Sequence, residues 1–236
     1  AQIISDECIY CGLCKNACPQ DAKEVHSDMA FFKNWLLEGR EVVVSIAPSF
    51  LSDFHKSDFT AMRQALMTLG VTDVYQTAEA ATVVKRRYEE EIASRRSPLI
   101  ISSACPTVNL LIQKHHPSLI PYLSSTPSPM HIHKRMLDDR HPDALKVFIG
   151  PCLSKKYEAE TDGSMDAVIS FVELREWLEE EAVDHEGGTT SNPKGRTNAF
   201  PVSGGIIQSF TAYDPEYHYL SVDGIESEKL TVDTEQ

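Results

Sequence analysis

The chain has 236 residues with 42% hydrophobic and 24% charged side chains, a composition that supports one sizeable globular core. A net charge of −13 excludes nucleic acid and anionic membrane surfaces as principal partners, and no apolar run reaches the length of a membrane span. Four of the six cysteines crowd into eleven residues, which excludes a disulfide scaffold and points to a reducing, cytoplasmic setting with a metal cofactor.

Those four open the chain: Cys8, Cys11, Cys14 and Cys18, followed by Pro19, spell C-x2-C-x2-C-x3-C-P. This is the bacterial run for a [4Fe–4S] cluster, in which soft thiolates wrap the corners of a cubane and Gly12 lets the backbone approach its sulfur. Zinc or purely structural thiols are the alternatives; zinc pairs its cysteines across a long spacer, which this run lacks. In two-cluster ferredoxins the fourth cysteine of a run serves the other cluster. Residues 1–28 therefore read as the second half of such a domain, with the chain starting midway, unless Cys18 bends back to close its own site.

Beyond Ser27-Asp28 the pattern becomes α/β, and residues 29–236 read as one domain. Phe31 to Leu37 is a short helix stopping near Gly39, and Val42 to Ile46 is a buried strand running into Ala47-Pro48-Ser49-Phe50. Phe59, Met62, Leu66 and Leu69 recur at helical spacing up to Gly70, and Val71 to Gln76 alternates like a strand. Ala78 to Arg95 is an amphipathic helix whose Glu89-Glu90-Glu91 run reads as a solvated face. After the Ser97-Pro98 break, Leu99-Ile100-Ile101 is long enough for a buried strand and ends in Ser102-Ser103-Ala104-Cys105-Pro106. A helix follows with Val108, Leu111 and Ile112 on one face, stopping at His116-Pro117.

Leu145 to Ile149 is a second such strand, ending in Gly150-Pro151-Cys152. Two strands that each deliver a cysteine to one sheet edge make a plausible ligand pair, although a single cysteine is more often a small buried hydrophobe. Ala167 to Ile169 is a further strand; Ser170 and Glu173 form a capping box for a helix turning Leu174, Trp177 and Leu178 inward, with Glu179-Glu180-Glu181 outside. Asp184 to Asn198 reads as a mobile loop, and Tyr217 to Val222 as a strand before an Asp223-Gly224 turn. His131 and His133 sit on alternate helical positions that face apart, so a shared metal is not expected. Alternating strands and helices predict an α/β fold: mainly parallel sheet covered by helices, preceded by a small ferredoxin-like iron–sulfur segment.

Taken together these residues resemble the iron-only ([FeFe]) hydrogenases. Ala47-Pro48-Ser49 is similar to that family's loop beside the diiron site. Ser103-Ala104-Cys105-Pro106 resembles the first cysteine signature, T-S-C-C-P, and Gly150-Pro151-Cys152 through Lys155 and Glu158 resembles the second, M-P-C-x-x-K-x-x-E. Asn109, Pro117 to Pro121, Ser128-Pro129-Met130 and Ser203-Gly204-Gly205-Ile206 follow the family pattern in order.

The resemblance implies hydrogen chemistry, H2 = 2H+ + 2e−, or hydrogen sensing, with electrons passing through the [4Fe–4S] cluster. It implies an H-cluster, a cubane joined to a diiron unit bearing CO and cyanide. Cys105 and Cys152 match two of its four cubane ligands, and Pro48, Ser49, Ser128, Pro129, Met130, Lys155 and Glu158 match residues around it. Lys155 would donate to a cyanide, or be an ordinary surface lysine; Glu158 would pair locally or sit in the outer shell.

The departures bear on activity. No cysteine follows Cys152, so the third signature is missing and the chain reads as cut inside the catalytic domain, which makes an H-cluster doubtful. Ala104 replaces the proton-donating cysteine, Val108 stands where the signature has Trp, and Gly150 replaces Met. These changes resemble the sensory members, with a redox partner such as a ferredoxin or a fused signalling domain. The alternative is a non-enzymatic iron–sulfur electron-transfer or signalling module that keeps the hydrogenase fold.

Overall fold

The computed structural model describes residues 2–94, 99–187, 206 and 209–210, together with the backbone of 220–222 and 230–232. In chain order it contains α1 (Leu13–Asn16), α2 (Met29–Leu37), β1 (Val42–Ile46), α3 (Phe50–Asp53), α4 (Phe59–Thr68), β2 (Asp73–Gln76) and α5 (Ala78–Ala93). Then come α6 (Pro106–His115), a 3-10 turn (Pro117–Tyr122), α7 (Pro129–Arg140), β3 (Leu145–Gly150), α8 (Ser154–Asp162), β4 (Ala167–Ser170) and α9 (Phe171–Glu180). The strands β5 (Leu220–Val222) and β6 (Leu230–Val232) pair antiparallel. Among the described residues no helix is long and apolar enough to cross a membrane.

The backbone divides into two compact units: the described residues of Ala1–Ile9, Ala78–Pro129 and Lys194–Gln236 make the first, and those of Tyr10–Thr77 and Met130–Pro193 the second.

In the second unit, β2-β1-β3-β4 form a parallel sheet. Every residue of β1 is buried, as a strand covered on both faces must be. Side chains alternate between faces, and the two sets differ in kind. Val42, Val44 and Ile46 join a core with Phe32, Met62, Leu66, Leu174, Trp177 and Leu178. Val43 packs instead with Leu137 and Ala144, while Ser45 bonds His133 of α7 through Nδ1 at 2.6 Å. This second layer is partly polar: Ser45 also lies 2.7 Å from the Thr77 hydroxyl, which donates to the Ile46 carbonyl at 3.0 Å.

Local chemistry sets the helix limits. Asp58 caps α4 by accepting from Ala61 N–H at 2.8 Å, and Gly70 at φ 100 carries the left-handed turn that ends it. The expected capping box of α9 is complete: Ser170 Oγ accepts from Glu173 N–H at 3.2 Å and Glu173 Oε2 from Ser170 N–H at 2.6 Å.

In the first unit three expectations fail. Leu99–Ile101 is not a buried strand: Leu99 is 38% exposed and the segment makes one isolated bridge, Ile101 to Leu123. Three apolar residues commit to a strand only where a ladder continues, and here Ile101 N–H to Tyr122 C=O and Ser124 N–H to Ile101 C=O make a single isolated bridge. The buried face of α6 is Pro106, Thr107, Leu110 and Ile112, with Val108 and Leu111 only partly covered. The acidic run of α5 is not uniformly solvated either, because Glu89 pairs with Lys85 at 3.2 Å and Glu91 accepts from Ser124 Oγ at 2.6 Å. The turn at Asp223-Gly224, Ser203-Gly204-Gly205 and most of the loop after Asp184 lie outside the described residues.

Candidate metal centre

The cysteine run is built from tight backbone turns. In the first unit, Cys8 N–H closes a turn onto Ile4 C=O at 2.9 Å, and the C-terminal end of α6 grips that turn. Lys114 Nζ donates to the carbonyls of Ser5 and Cys8, both at 2.8 Å, and His115 Nε2 lies 2.9 Å from the Glu7 carbonyl. In the second unit, Tyr10 (φ 55) and Gly12 (φ 80) turn the chain left-handed on either side of Cys11, and α1 then carries Cys14 into solvent. Cys18 Sγ accepts from Ala22 N–H at 3.4 Å; this bond and a second from Gln20 hold its thiol below the ordinary range.

Cys152 is delivered as expected. It follows β3, beside the end of β1, since Ile46 and Ile149 are in register and Ala47 N–H donates to Ile149 C=O at 2.8 Å. Pro48, Ser49 and Cys152 therefore leave one carboxyl edge of a parallel sheet, where open α/β folds place ligands. Cys152 Sγ is 2.9 Å from Ser154 Oγ, and Lys155, nearly buried, donates to Glu158 Oε2 at 2.6 Å. Lys155 is thus no surface lysine, and Glu158 pairs locally. Gly150 has a reason of its own: a Cβ there would come within 2.6 Å of the Phe148 ring and 3.2 Å of Ala47. Met130 lies in the apolar core of this unit at 1% exposure.

Cys105 is presented differently from the expectation. No strand delivers it; it is the exposed N-cap of α6, with Pro106 in the first turn, and it belongs to the first unit. Its approach is held by Ser103 and Asn109 together with two groups that the sequence does not single out, Tyr88 and Thr126. Tyr88, 2% exposed on α5, accepts from Ser103 N–H at 3.0 Å and donates to Ser103 Oγ at 3.3 Å, while that hydroxyl donates to the Thr126 carbonyl. Burial raises the Tyr88 phenol above its usual range, keeping it a donor. Asn109 Nδ2 donates to Ser103 C=O at 2.9 Å. Ser128 is buried in this unit, and Pro129 starts α7.

All six cysteines are thiols. Among the described residues, no three His, Cys, Asp or Glu side chains gather closely enough to hold a metal. The donor chemistry of the run nevertheless fits a [4Fe–4S] cluster: four thiols within eleven residues, one already biased toward thiolate by backbone N–H groups. Outside the run the sequence given carries Cys105 and Cys152, two of the four thiolates that the cubane of an H-cluster would need. His131 instead pairs with Asp162 at 3.0 Å, and His133 is buried against Ser45.

Comparison with known proteins bears out the family resemblance and the iron–sulfur segment. The family model for the iron-only hydrogenase large subunit, C-terminal domain, matches residues 40–233, and that for the 4Fe–4S binding domain matches residues 1–24. Among curated proteins, the cytosolic Fe–S cluster assembly factor NAR1 of Kluyveromyces lactis is 24% identical over 94% of the chain and 49% of its own length. The NAR1 homolog of Schizosaccharomyces japonicus is 33% identical over 43% of the chain and 22% of its own length. Mouse (Mus musculus) cytosolic iron–sulfur assembly component 3 is 29% identical over 61% of the chain and 37% of its own length. The chain thus spans about half the length of these relatives or less.

Among solved structures, an [FeFe]-hydrogenase studied for oxygen inactivation superposes with TM-score 0.59 at 23% identity, covering 78% of this chain and 57% of that one. The hydrogenase HydA1 from Chlamydomonas reinhardtii superposes with TM-score 0.57 at 22% identity, covering 78% of this chain and 56% of its own. These likenesses establish a shared fold.

Proposed function

We propose, from the premise that this chain belongs to the iron-only hydrogenase large-subunit family, that it is a non-catalytic iron–sulfur module which works in cluster assembly and does not turn over hydrogen. Position 104 carries this reading. Fast proton delivery beside a diiron site needs an exchangeable proton there, and alanine has none. Its neighbour cannot substitute, since the Ser103 hydroxyl is committed to the Thr126 carbonyl and to Tyr88.

Cys8, Cys11, Cys14 and Cys18 would hold a [4Fe–4S] cluster, which supplies one-electron exchange or transferable iron and sulfide when bound. The curated relatives are named for cytosolic iron–sulfur assembly, which supports a cytoplasmic location and an assembly role for this chain. Its partners would then be a redox protein such as a ferredoxin, a fused signalling domain, or an acceptor apoprotein. Lys155 held by Glu158, and Cys152 bonded to Ser154, are two local polar pairs that suit a retained fold.

Anaerobic reconstitution with iron and sulfide tests this. The expected product carries about four irons per chain, with visible absorbance that is lost on replacing Cys11 and Cys14 by serine. It passes cluster to an apo-ferredoxin and, after treatment with a synthetic diiron precursor, exchanges no deuterium from D2. Sustained H/D exchange would overturn the proposal in favour of hydrogen chemistry.

A further inference from the structure

Tyr10 has a positive φ of 55, which L side chains rarely adopt, and it precedes Cys11 directly. Its ring stacks on Tyr157 of α8, with centroids 4.1 Å apart and planes 23° from parallel. Two residues on, Gly12 is also left-handed, and a Cβ there would lie 2.8 Å from Leu153 Cδ1. Cys11 is therefore bracketed by two left-handed residues, each seated against the start of α8. Backbone held in a sparsely populated region persists where its surroundings over-determine it, and the surroundings here are Leu153 and Tyr157. The same helix start follows Cys152, whose sulfur contacts Ser154.

We propose that Tyr157, with Leu153 beneath Gly12, is a positioning residue for the cysteine run: it clamps Tyr10 and so holds the left-handed turn that presents Cys11. This rests on the reading that the run binds a [4Fe–4S] cluster. The clamp lowers the ordering cost of binding, so it acts mainly on how long the cluster is retained. It also ties the run to Cys152, because a loaded run immobilises Tyr10 against the helix that begins beside that thiol. Loading is then expected to slow the alkylation of Cys152, and freeing the clamp to undo the protection.

The experiment compares anaerobically reconstituted wild type, Tyr157→Ala, Tyr157→Phe, Tyr10→Ala and the double alanine variant. Bleaching after addition of an iron chelator is followed, and Cys152 alkylation by iodoacetamide is read by mass spectrometry. Tyr157→Ala and Tyr10→Ala should each lose the cluster several-fold to about tenfold faster, and the double variant no faster than either, as for a single stacked pair. Tyr157→Phe keeps the ring and should restore the wild-type rate. Tyr10→Ala leaves α8 untouched, so the test survives any folding defect of Tyr157→Ala. Wild-type protein that takes up no iron would overturn the cluster reading itself. Loaded variants that bleach at the wild-type rate, or a phenylalanine variant as labile as alanine, would overturn the clamp.

Discussion

Cys105 and Cys152 carry matching signatures yet are presented by opposite means. Cys152 comes off a strand whose neighbours are packed apolar side chains, so its place follows from burial. Cys105 comes off a loop fixed by Tyr88, Ser103, Asn109 and Thr126, so its place follows from hydrogen bonds. Burial is non-directional and tolerates repacking; a polar network holds geometry tightly but fails when one member is lost. The two thiols should therefore respond to different perturbations.

The largest expected effect tests the apolar side. Leu174 is fully buried in the core of the second unit, and Leu174→Ala should cost about 3 kcal/mol in chemical denaturation. Alkylation of Cys105 in the folded state should stay at the wild-type rate, and an equal acceleration at both cysteines would erase the distinction.

Acid attacks the polar layer beneath α7. Burial, with a smaller push from Arg140, lowers His133 from 6.5 to about 4. Above about pH 6.5 the ring is neutral in both folded and unfolded chains. Between 6.5 and 4 the unfolded chain takes the proton and the folded one does not, so stability falls as pH drops, by up to about 3 kcal/mol. Urea midpoints measured across that window should show the slope, and His133→Gln should flatten it.

The smallest effect belongs to the hydrogen-bonded side. Tyr88→Phe leaves the Ser103 N–H buried without its acceptor and should cost about 2 kcal/mol or less. Its sharper readout is local: faster amide exchange at Ser103 and faster alkylation of Cys105, with Cys152 unchanged.

The same contrast explains what could be read from the chain. The continuous apolar runs Val42–Ile46 and Leu145–Ile149 specify buried parallel strands because burial on two faces leaves a plain compositional trace. The Ser170/Glu173 box and the stop at Gly70 were legible for a similar reason, being local chemistry at fixed spacing. Leu99–Ile101 has the same composition as a short strand, but a strand is decided by its partner, and that lies over twenty residues away at Leu123. Tyr88 reads as one more apolar position on an amphipathic helix, since nothing in its spacing reveals Ser103 as its partner. The Tyr10–Tyr157 stack joins residues far apart in sequence, and the turns beside Cys11 hint at it through Gly12 alone. The apolar run before Cys152 marks its strand, and the similar run before Cys105 could not show that Cys105 lacks one.

Gly150 ties its own substitution to that of Phe148. The Phe148 ring fills the space that a side chain at 150 would need, so a methionine introduced there alone collides with it. A side chain at 150 would also crowd Ala47 at 3.2 Å, and trimming Phe148 alone would leave a cavity in the core, so each single change is destabilising. The two positions are therefore coupled, and the effects of changing both should depart from the sum of the single changes.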